Sequence, residues 1–459
     1  MTCIMRTVTS SVFPAIVMLA LGLGFGAGCA TIREARSIQK GDHTPPGERL
    51  LLASEVGLSS NTVLKLERAL EIALTYHPSV IQAEQALAAA TAQVYQARAA
   101  YWPQLSASAG GSRSTANSEG QPGSYHADNS FSGSLGLNVL VYDFGKTPAV
   151  VRQAYARQIS AAESLRSTRS DVAFAVRNAF YNLGKASELS QVARDAVRQY
   201  TVRLDQVKAF QEVGRRTRYD LTKADVDLGN AKLDLIKVQN SLSDARAALN
   251  RTLGLAEEPG YTQQPGTHSV FTPATAPELM NRARRNHPGL RALQANERAA
   301  NAAVDEAIAS LYPELGLQAK YGLSGGHLPL IWNLSAALQS SVQLFTGRRQ
   351  SWRIREMVAN LRSVRARITD REQQIFQDLQ NALNQLDSAQ QRLPLTDLLV
   401  RQATETLDLV SERYRLGAAS AVEVTDAQVA LTSARAEQVK AKFDYEAAIA
   451  QLKHAAGEE

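Results

Sequence analysis

Apolar and polar residues alternate strictly in four stretches of the chain, and this period of two predicts β-strands. In "FSGSLGLNVLVYDF" (131–144), for example, one face carries Phe, Leu and Val while the other carries Ser and Asn. The four stretches are 104–112, 131–144, 314–322 and 331–345. Segments rich in Gly, Ser and Asn, at 109–130 and 322–328, separate the members of each pair and are predicted as loops. The chain is therefore predicted to form two β-hairpins.

Helical periodicity dominates the rest of the chain. After each hairpin, apolar residues recur every three or four positions for a long tract that ends at Gly214 or Gly417. A helix of roughly seventy residues is a rod on the order of 100 Å long, which a globular core cannot bury. Beyond each glycine the chain runs back as a second, shorter helix, for which Thr217 and Ser420 are the predicted N-caps. Pro394 falls inside the second rod and is expected to kink or break it.

The two halves of the chain repeat this series of elements. His77-Pro78 matches His287-Pro288 with a spacing of 210 residues, and Gly214 matches Gly417 with a spacing of 203. The predicted divisions are a signal peptide at 1–29, an N-terminal extension at 30–60, a first repeat at 61–255 with its hairpin at 104–144, an equatorial linker at 256–277, and a second repeat at 278–459 with its hairpin at 314–346.

Strands of about ten residues, apolar on one face and polar on the other, have the length and pattern of membrane-spanning β-strands. A water-soluble strand with one wet face is the simpler interpretation of any single stretch. Four such stretches in matched pairs, in a chain that is predicted to be exported, favour membrane-spanning strands. Four strands cannot close a barrel, because the smallest outer-membrane barrels use about eight. The chain is therefore expected to oligomerise, and three copies would supply twelve strands.

Composition narrows the function classes. The net charge of +6 comes from acidic and basic residues mixed along the helical tracts, so nucleic acid is not an expected partner. Cys3 and Cys29 are the two cysteines, and both precede the predicted folded body. The seven histidines have no metal-ligand spacing, and no nucleophile set or phosphate loop can be nominated. An enzyme, a metal site and a bound cofactor are therefore not predicted; His77 and His287 repeat as packing at helix breaks.

The N-terminus has Arg6 before an apolar run and small residues after it, which is the order of an export signal. "GAGC" (26–29) resembles a lipoprotein signal-peptidase site and would make Cys29 the lipidated first residue, carrying palmitate among its acyl chains. It departs from the usual pattern in having Gly26 where leucine is expected. In the alternative, ordinary signal peptidase removes Cys29 as an inert residue.

From about residue 60 onward, the chain resembles the outer-membrane efflux protein family, the TolC-like channel-tunnels. The resemblance rests on the twofold repeat, on "VYDFG" and "LFTGRR" after the hairpins, and on the terminal "YRLGAASAVEVTDAQVALTSARAEQVKAKFDYEAAIAQLKHAAG" (414–457). It implies a mostly α-helical homotrimer in which four β-strands per protomer complete a twelve-stranded β-barrel in the outer membrane, above a twelve-helix α-barrel in the periplasm.

The same resemblance implies a passive exit duct of a tripartite efflux pump. Its partners would be a periplasmic adaptor (membrane fusion protein), an inner-membrane pump of the resistance-nodulation-division or ABC type, and outer-membrane lipid. Two alternatives stay open: the outer-membrane component of a type I protein secretion system, and a periplasmic coiled-coil scaffold. The transported substrate is not indicated.

Glu423 and Asp426 lie one turn apart at the start of the last helix, where helix N-terminal chemistry alone favours acids. The resemblance implies instead that they form acidic rings at the periplasmic entrance, whose mutual repulsion raises some of their pKa values. It also implies a latch between the two helical turns, in which Tyr414 and Asp220 match the family but Ala419 replaces an arginine. The cations that could substitute are Arg215, Arg216 and Arg218.

Overall fold

The computed structural model describes residues 31–33, 35–39, 51–58, 63–117, 125–214, 216–256, 260–264, 271 and 274–458. The predicted signal peptide, the lipidation site at Cys29, Arg215 and part of the predicted linker lie outside the described residues. The described chain is mostly helical and carries one antiparallel four-stranded sheet, so the predicted fold class is confirmed at this level.

Each half of the chain supplies the same elements in the same order. The first half contains β1 (Val63–Leu64), α1 (Leu66–Tyr76), α2 (Pro78–Arg98), β2 (Gln104–Asn117), β3 (Tyr125–Tyr142), α3 (Lys146–Glu212) and α4 (Arg218–Leu253). The second half contains β4 (Thr262–Gln263), α5 (Ala276–Asn286), α6 (Pro288–Ala309), β5 (Glu314–Gly325), β6 (Ile331–Ser341), α7 (Arg349–Arg415) and α8 (Ala421–Ala456). The short strands β1 and β4 pair in parallel.

The long helices α3 and α7 have 67 residues each, and the returning helices α4 and α8 have 36 each. The predicted N-caps of the returning helices are confirmed. The Asp220 amide donates to Thr217 Oγ1 at 3.3 Å, and the Glu423 amide donates to Ser420 Oγ at 3.2 Å. At 1.5 Å per residue each long helix is about 100 Å in length, so the tips lie far from the sheet.

Pro394 does not break α7, and that part of the prediction is wrong, because the helix continues through it. Proline cannot donate to the carbonyl of Gln390, but Pro394 lies on the exposed side of α7, where water can reach that carbonyl. Packing against α8 holds the helix on both sides of the proline. Leu386 belongs to a buried cluster with α8, and the Asp397 carboxylate accepts from Gln438 Nε2 at 2.8 Å.

The four long strands form one sheet in the order β2-β3-β5-β6, and all neighbouring pairs are antiparallel. The two hairpins join through β3 and β5, so β2 and β6 are the edges within the protomer. Most of 109–130, predicted as a loop, is strand, since β2 reaches Asn117 and β3 begins at Tyr125. Conversely, β6 ends at Ser341, although the alternation continues to residue 345.

The register of the sheet brings the apolar positions of all four strands onto one face. Leu137 lies between Leu105 and Ala319, and Leu317 pairs with Leu338 on β6. The apolar face comprises Leu105, Ala107, Ala109, Phe131, Leu135, Leu137, Val139, Leu317, Ala319, Tyr321, Leu323, Trp332, Leu334, Ala336 and Leu338. The opposite face includes Ser106, Ser108, Ser132, Ser134, Asn138, Gln318, Lys320, Asn333, Ser335 and Gln339.

The apolar face has no protein layer over it within the described protomer. Trp332, Leu334 and Leu338 are 66%, 57% and 64% exposed. Burying apolar surface contributes roughly 25 cal/mol per Å², so a face of this size is costly in water. It needs a cover of lipid or of other protein.

The helices form a wall one layer thick. In the half near the tips, α4, α3, α8 and α7 pack side by side in that order; near the sheet the order is α2, α3, α6 and α7. The helices α1 and α5 add a second layer at mid-height, where Ile72 of α1 joins a buried cluster with Val176 of α3, and Leu279 of α5 joins one with Leu379 of α7. Within the described residues, no helix has both the length and the apolar character needed to cross a bilayer.

The repeated histidines lie at the breaks between α1 and α2 and between α5 and α6. His77 Nδ1 accepts from the Ser79 amide at 3.2 Å and so caps α2. His287 is only 7% exposed and packs against Gly457, the C-cap of α8. Burial, together with nearby Arg371 and His454, lowers the pKa of His287 to about 4.

The lowered pKa predicts an acid sensitivity that depends on His287. An unfolded histidine titrates near pH 6.5, so between that pH and about 4 the unfolded chain binds more protons than the folded one. Stability should fall as the pH is lowered through this window, by an amount on the order of 3 kcal/mol. His287→Asn retains an N-cap residue but cannot titrate.

Melting temperatures of the detergent-solubilised protein at pH 7.5, 6, 5 and 4 check this prediction. The wild type should lose more stability than His287→Asn over the window. Parallel curves for the two proteins would show that His287 does not cause the loss.

Candidate functional site

The two helical turns at the tips, one from each repeat, meet at Tyr414. This side chain is 2% exposed and packs in a small cluster with Ala419 and Val424. Arg216, from the turn of the first repeat, donates through Nη2 to the Tyr414 carbonyl oxygen at 2.9 Å. The Arg216 guanidinium carbon also lies 3.8 Å from the centre of the Tyr414 ring.

A second arginine lies against the same ring. The guanidinium carbon of Arg203, on α3, is 3.6 Å from the ring centre of Tyr414. If both guanidinium carbons lay over the same face of the ring, the distance between them would be shorter than the ~3.5 Å contact distance of carbon atoms. The two guanidiniums therefore lie on opposite faces of the ring. We call Arg203, Tyr414 and Arg216 the tyrosine clamp. A desolvated cation–π contact contributes about 2 kcal/mol, so the clamp joins the tips of the two repeats strongly.

The clamp leaves two polar atoms without partners in the described part of the chain. These are the Tyr414 hydroxyl and Arg203 Nη2, both fully buried. Burial is the largest cause that lowers the pKa of Arg203, and the charge of Arg216 lowers it further. Tyr414 and Asp220 act in the opposite direction. Within the protomer the contact is therefore made by the ring and the backbone carbonyl of Tyr414, and not by its hydroxyl.

The predicted latch residues do not all take part in the contact with Tyr414. Arg216 reaches Tyr414, as one of the predicted substitutes for the missing arginine, whereas Arg218 is exposed and lies outside this contact. The Asp220 carboxylate caps α4 instead, accepting from the Thr217 amide at 3.1 Å and from Thr217 Oγ1 at 2.9 Å. Sequence reasoning did not nominate Arg203, since nothing local distinguishes it from the other arginines of α3.

The predicted acidic pair lies beside the clamp on the first turns of α8. Glu423 and Asp426 are both exposed, one turn apart. Glu423 Oε1 accepts from the Ser420 amide at 2.9 Å, and this bond lowers the pKa of Glu423. The direction is opposite to the rise expected from repulsion in a ring, because the contacts within one protomer, chiefly this capping bond and then the Ser420 side chain, stabilise the carboxylate. The ring itself stays a prediction.

Further contacts tie α8 to α4 near the tips. Thr425 Oγ1 donates to Asp227 Oδ2 at 3.1 Å, and the other oxygen of Asp227 pairs with Lys223 Nζ at 2.6 Å. Residues almost 200 positions apart in the chain therefore meet at the tips. The site is an assembly of both repeats.

A model of the outer membrane efflux protein family matches residues 69–255 and 279–458, which are the two repeats. The chain belongs to this family. Among its relatives, the outer membrane efflux protein BepC of Brucella suis biovar 1 is 22% identical over 367 residues, covering 79% of this chain and 78% of BepC. The alkaline protease secretion protein AprF of Pseudomonas aeruginosa is 24% identical over 336 residues, covering 72% of this chain and 70% of AprF.

Solved structures agree on the fold. A membrane protein from Pseudomonas aeruginosa superposes with a TM-score of 0.78 at 22% identity, covering 85% of this chain and 93% of that one. The efflux protein is therefore an outer-membrane channel whose helices extend into the periplasm, and its family consists of channels rather than enzymes. In this outer membrane efflux protein the clamp and the acidic pair lie at the end of the helices farthest from the sheet.

Proposed function

We propose that three copies of this chain form the exit duct of a tripartite efflux pump, through which substrates pass passively from the periplasm to the exterior. One observation carries the proposal: a four-stranded sheet with a continuous apolar face and two open edges, β2 and β6. Open edges cannot exist in lipid, since their backbone groups would lack hydrogen bonds. Pairing of β2 with β6 of the next copy closes the sheet, and three copies give twelve strands.

The helical wall offers matching edges. Near the tips α4 and α7 are the outermost helices of the protomer, and each carries exposed apolar side chains. These are Val226, Leu233 and Ile236 on α4, and Leu395, Leu399 and Leu409 on α7. Packing α4 of one copy against α7 of the next buries both rows, and the same threefold rotation closes sheet and wall together.

The duct needs an adaptor in the periplasm and a pump in the inner membrane, of the resistance-nodulation-division or ABC type. A type I secretion duct is the second candidate function, because AprF is named for the secretion of alkaline protease. Cross-linking in the native cell followed by co-purification distinguishes the two by the pump recovered. A periplasmic scaffold has no use for the exposed apolar sheet face, and it would stay soluble without detergent.

Lipidation of Cys29 is part of this proposal, with the acyl chains anchoring the mature N-terminus in the outer membrane. The mass of the N-terminal peptide of the mature protein tests it.

In the assembled trimer, Glu423 and Asp426 would each form a ring of three carboxylates at the entrance. Such rings favour cations over anions in a narrow pore. In planar bilayers the wild-type trimer should conduct with cation preference, and Glu423→Gln with Asp426→Asn should lower the cation-to-anion permeability ratio by about twofold or more. Glutamine retains the capping bond, so α8 should stay folded.

Glu278→Gln is the matched control. Glu278 caps α5 by accepting from the Thr275 amide at 3.2 Å, but it lies at mid-height on the second layer. It should leave the permeability ratio unchanged. Unchanged selectivity in the tip variant would leave the two acids with a capping role only.

A further inference from the structure

A groove of about 400 Å³ runs between α3, α6 and α7, in the half of the wall nearest the sheet. Its apolar lining includes Leu293, Ala300, Met357 and Val364. The amide side chains of Gln153, Asn296 and Asn360 also line it. Two charged residues line it, Arg157 from α3 and Arg367 from α7. No carboxylate lines the groove among the residues that the structure describes.

Three nearby arginines on α3 and α7 are paired with carboxylates. The neighbouring ion pairs are Arg152 with Asp305 at 3.0 Å, Arg353 with Glu306 at 2.9 Å, and Arg365 with Glu297 at 2.8 Å. Arg157 and Arg367 are exposed, and neither pairs with a carboxylate of the described chain. Asp370, one turn from Arg367, accepts instead from Gln374 Nε2 at 2.9 Å. The groove therefore holds two guanidinium groups that form no direct ion pair within the described chain.

The groove opens on the side of the wall opposite to α1 and α5. Arg166 lies where α1 meets α3, and Phe376 lies where α5 meets α7. Arg166 follows Arg157 by nine residues, and Phe376 follows Arg367 by nine. Nine residues are about two and a half helical turns, so Arg157 and Arg367 lie on the sides of α3 and α7 that face away from α1 and α5. Given the proposed duct, α1 and α5 must lie outside it, because three copies of both helices inside would fill the passage. The groove then faces the lumen.

We propose that this groove is a low-affinity transit site for amphiphilic organic anions, molecules with a carboxylate, sulfonate or phosphate group on an apolar body. An apolar lining combined with a few polar and charged groups is the usual make-up of a small-molecule site. The guanidinium group binds planar and tetrahedral oxyanions through paired N–H donors. The proposal rests on the proposed duct and adds its substrate class. Threefold symmetry gives three such grooves at one level of the lumen.

The sign of the charge separates this site from the entrance. The tip carries the acidic pair, which favours cations, whereas the groove carries arginines above it. An amphiphilic anion delivered past the entrance would be held by the grooves against return. Release to the exterior requires weak binding, so half-saturation in the millimolar range is expected.

Current through trimers in planar bilayers tests the inference, with 2-naphthalenesulfonate as the probe. Millimolar probe should reduce the current, whereas equal concentrations of sodium sulfate and of the neutral 2-naphthalenemethanol should not. Arg157→Gln with Arg367→Gln should raise the half-blocking concentration at least fivefold. Arg298→Gln is the control: Arg298 is exposed on α6, two residues from both Asn296 and Ala300, and so lies about 200° around the helix from the groove.

Each outcome decides the matter. If the channel conducts normally but the probe does not reduce the current, or reduces it equally in the wild type and the double variant, the groove site is wrong. The proposed duct is not affected by that result. Equal block by sulfate overturns the amphiphile and shows a site for free inorganic anions. Absence of any conductance removes the duct, and the groove's role in it. Saturation-transfer NMR of the probe with the protein in nanodiscs, against empty nanodiscs, reads binding independently of current and should lose its signal in the double variant only.

Discussion

Leu135→Arg combined with Leu137→Arg should prevent the efflux protein from accumulating as a trimer in the outer membrane. Both side chains lie on the apolar face of β3, near the middle of the strand. A lipid-facing arginine near the bilayer midplane costs about 2 to 4 kcal/mol. The trimer would carry the pair three times, so the total cost exceeds the stability of most proteins. Immunoblots of outer-membrane fractions, with and without heating in SDS, measure the assembled trimer.

Ser134→Arg is the matched control, because Ser134 is the intervening residue and lies on the polar face. It contacts Ser108, with 2.9 Å between the two hydroxyl oxygens, and this hydrogen bond is exposed. In the proposed barrel this face lines water, so one arginine there should leave the trimer yield near that of the wild type. Normal assembly of the Leu135→Arg, Leu137→Arg variant would mean that this face does not contact lipid, and the barrel proposal would fail.

Tyr414→Ala should open the periplasmic entrance. The substitution removes the ring that separates Arg203 from Arg216, and two like charges then face each other without it. Loss of about 2 kcal/mol or more shifts an equilibrium between closed and open tips by roughly thirtyfold. Single-channel recordings should show a larger conductance or a longer open time than the wild type.

Tyr414→Phe separates the clamp from a hydroxyl latch. Phenylalanine keeps the ring between the guanidiniums, and the hydroxyl it lacks has no partner in the described protomer. We therefore expect wild-type conductance. If Tyr414→Phe opens the channel as fully as Tyr414→Ala, the hydroxyl rather than the clamp is the closing element.

Local patterns determined much of this protein. The alternation that predicts the hairpins is a property of neighbouring residues, and so is the three-to-four spacing that predicts the long helices. The caps at Thr217 and Ser420 were likewise readable, since a capping residue and its amides lie within one turn. The repeat reinforced each assignment, because the same signals occur twice.

Only the tertiary structure decided how distant segments meet. The helix α7 is unbroken at Pro394 because it packs against α8 on both sides of the proline, and α8 begins more than twenty residues later in the chain. Glycine and serine in 109–130 extend the strands because their partners lie across the hairpin, where the ladder supplies hydrogen bonds that local propensity does not foresee. Arg203 and Arg216 contact Tyr414 from about 200 residues away in the chain, and Arg157 and Arg367 line the same groove. Such encounters depend on how the two repeats pack, which no short stretch of sequence encodes.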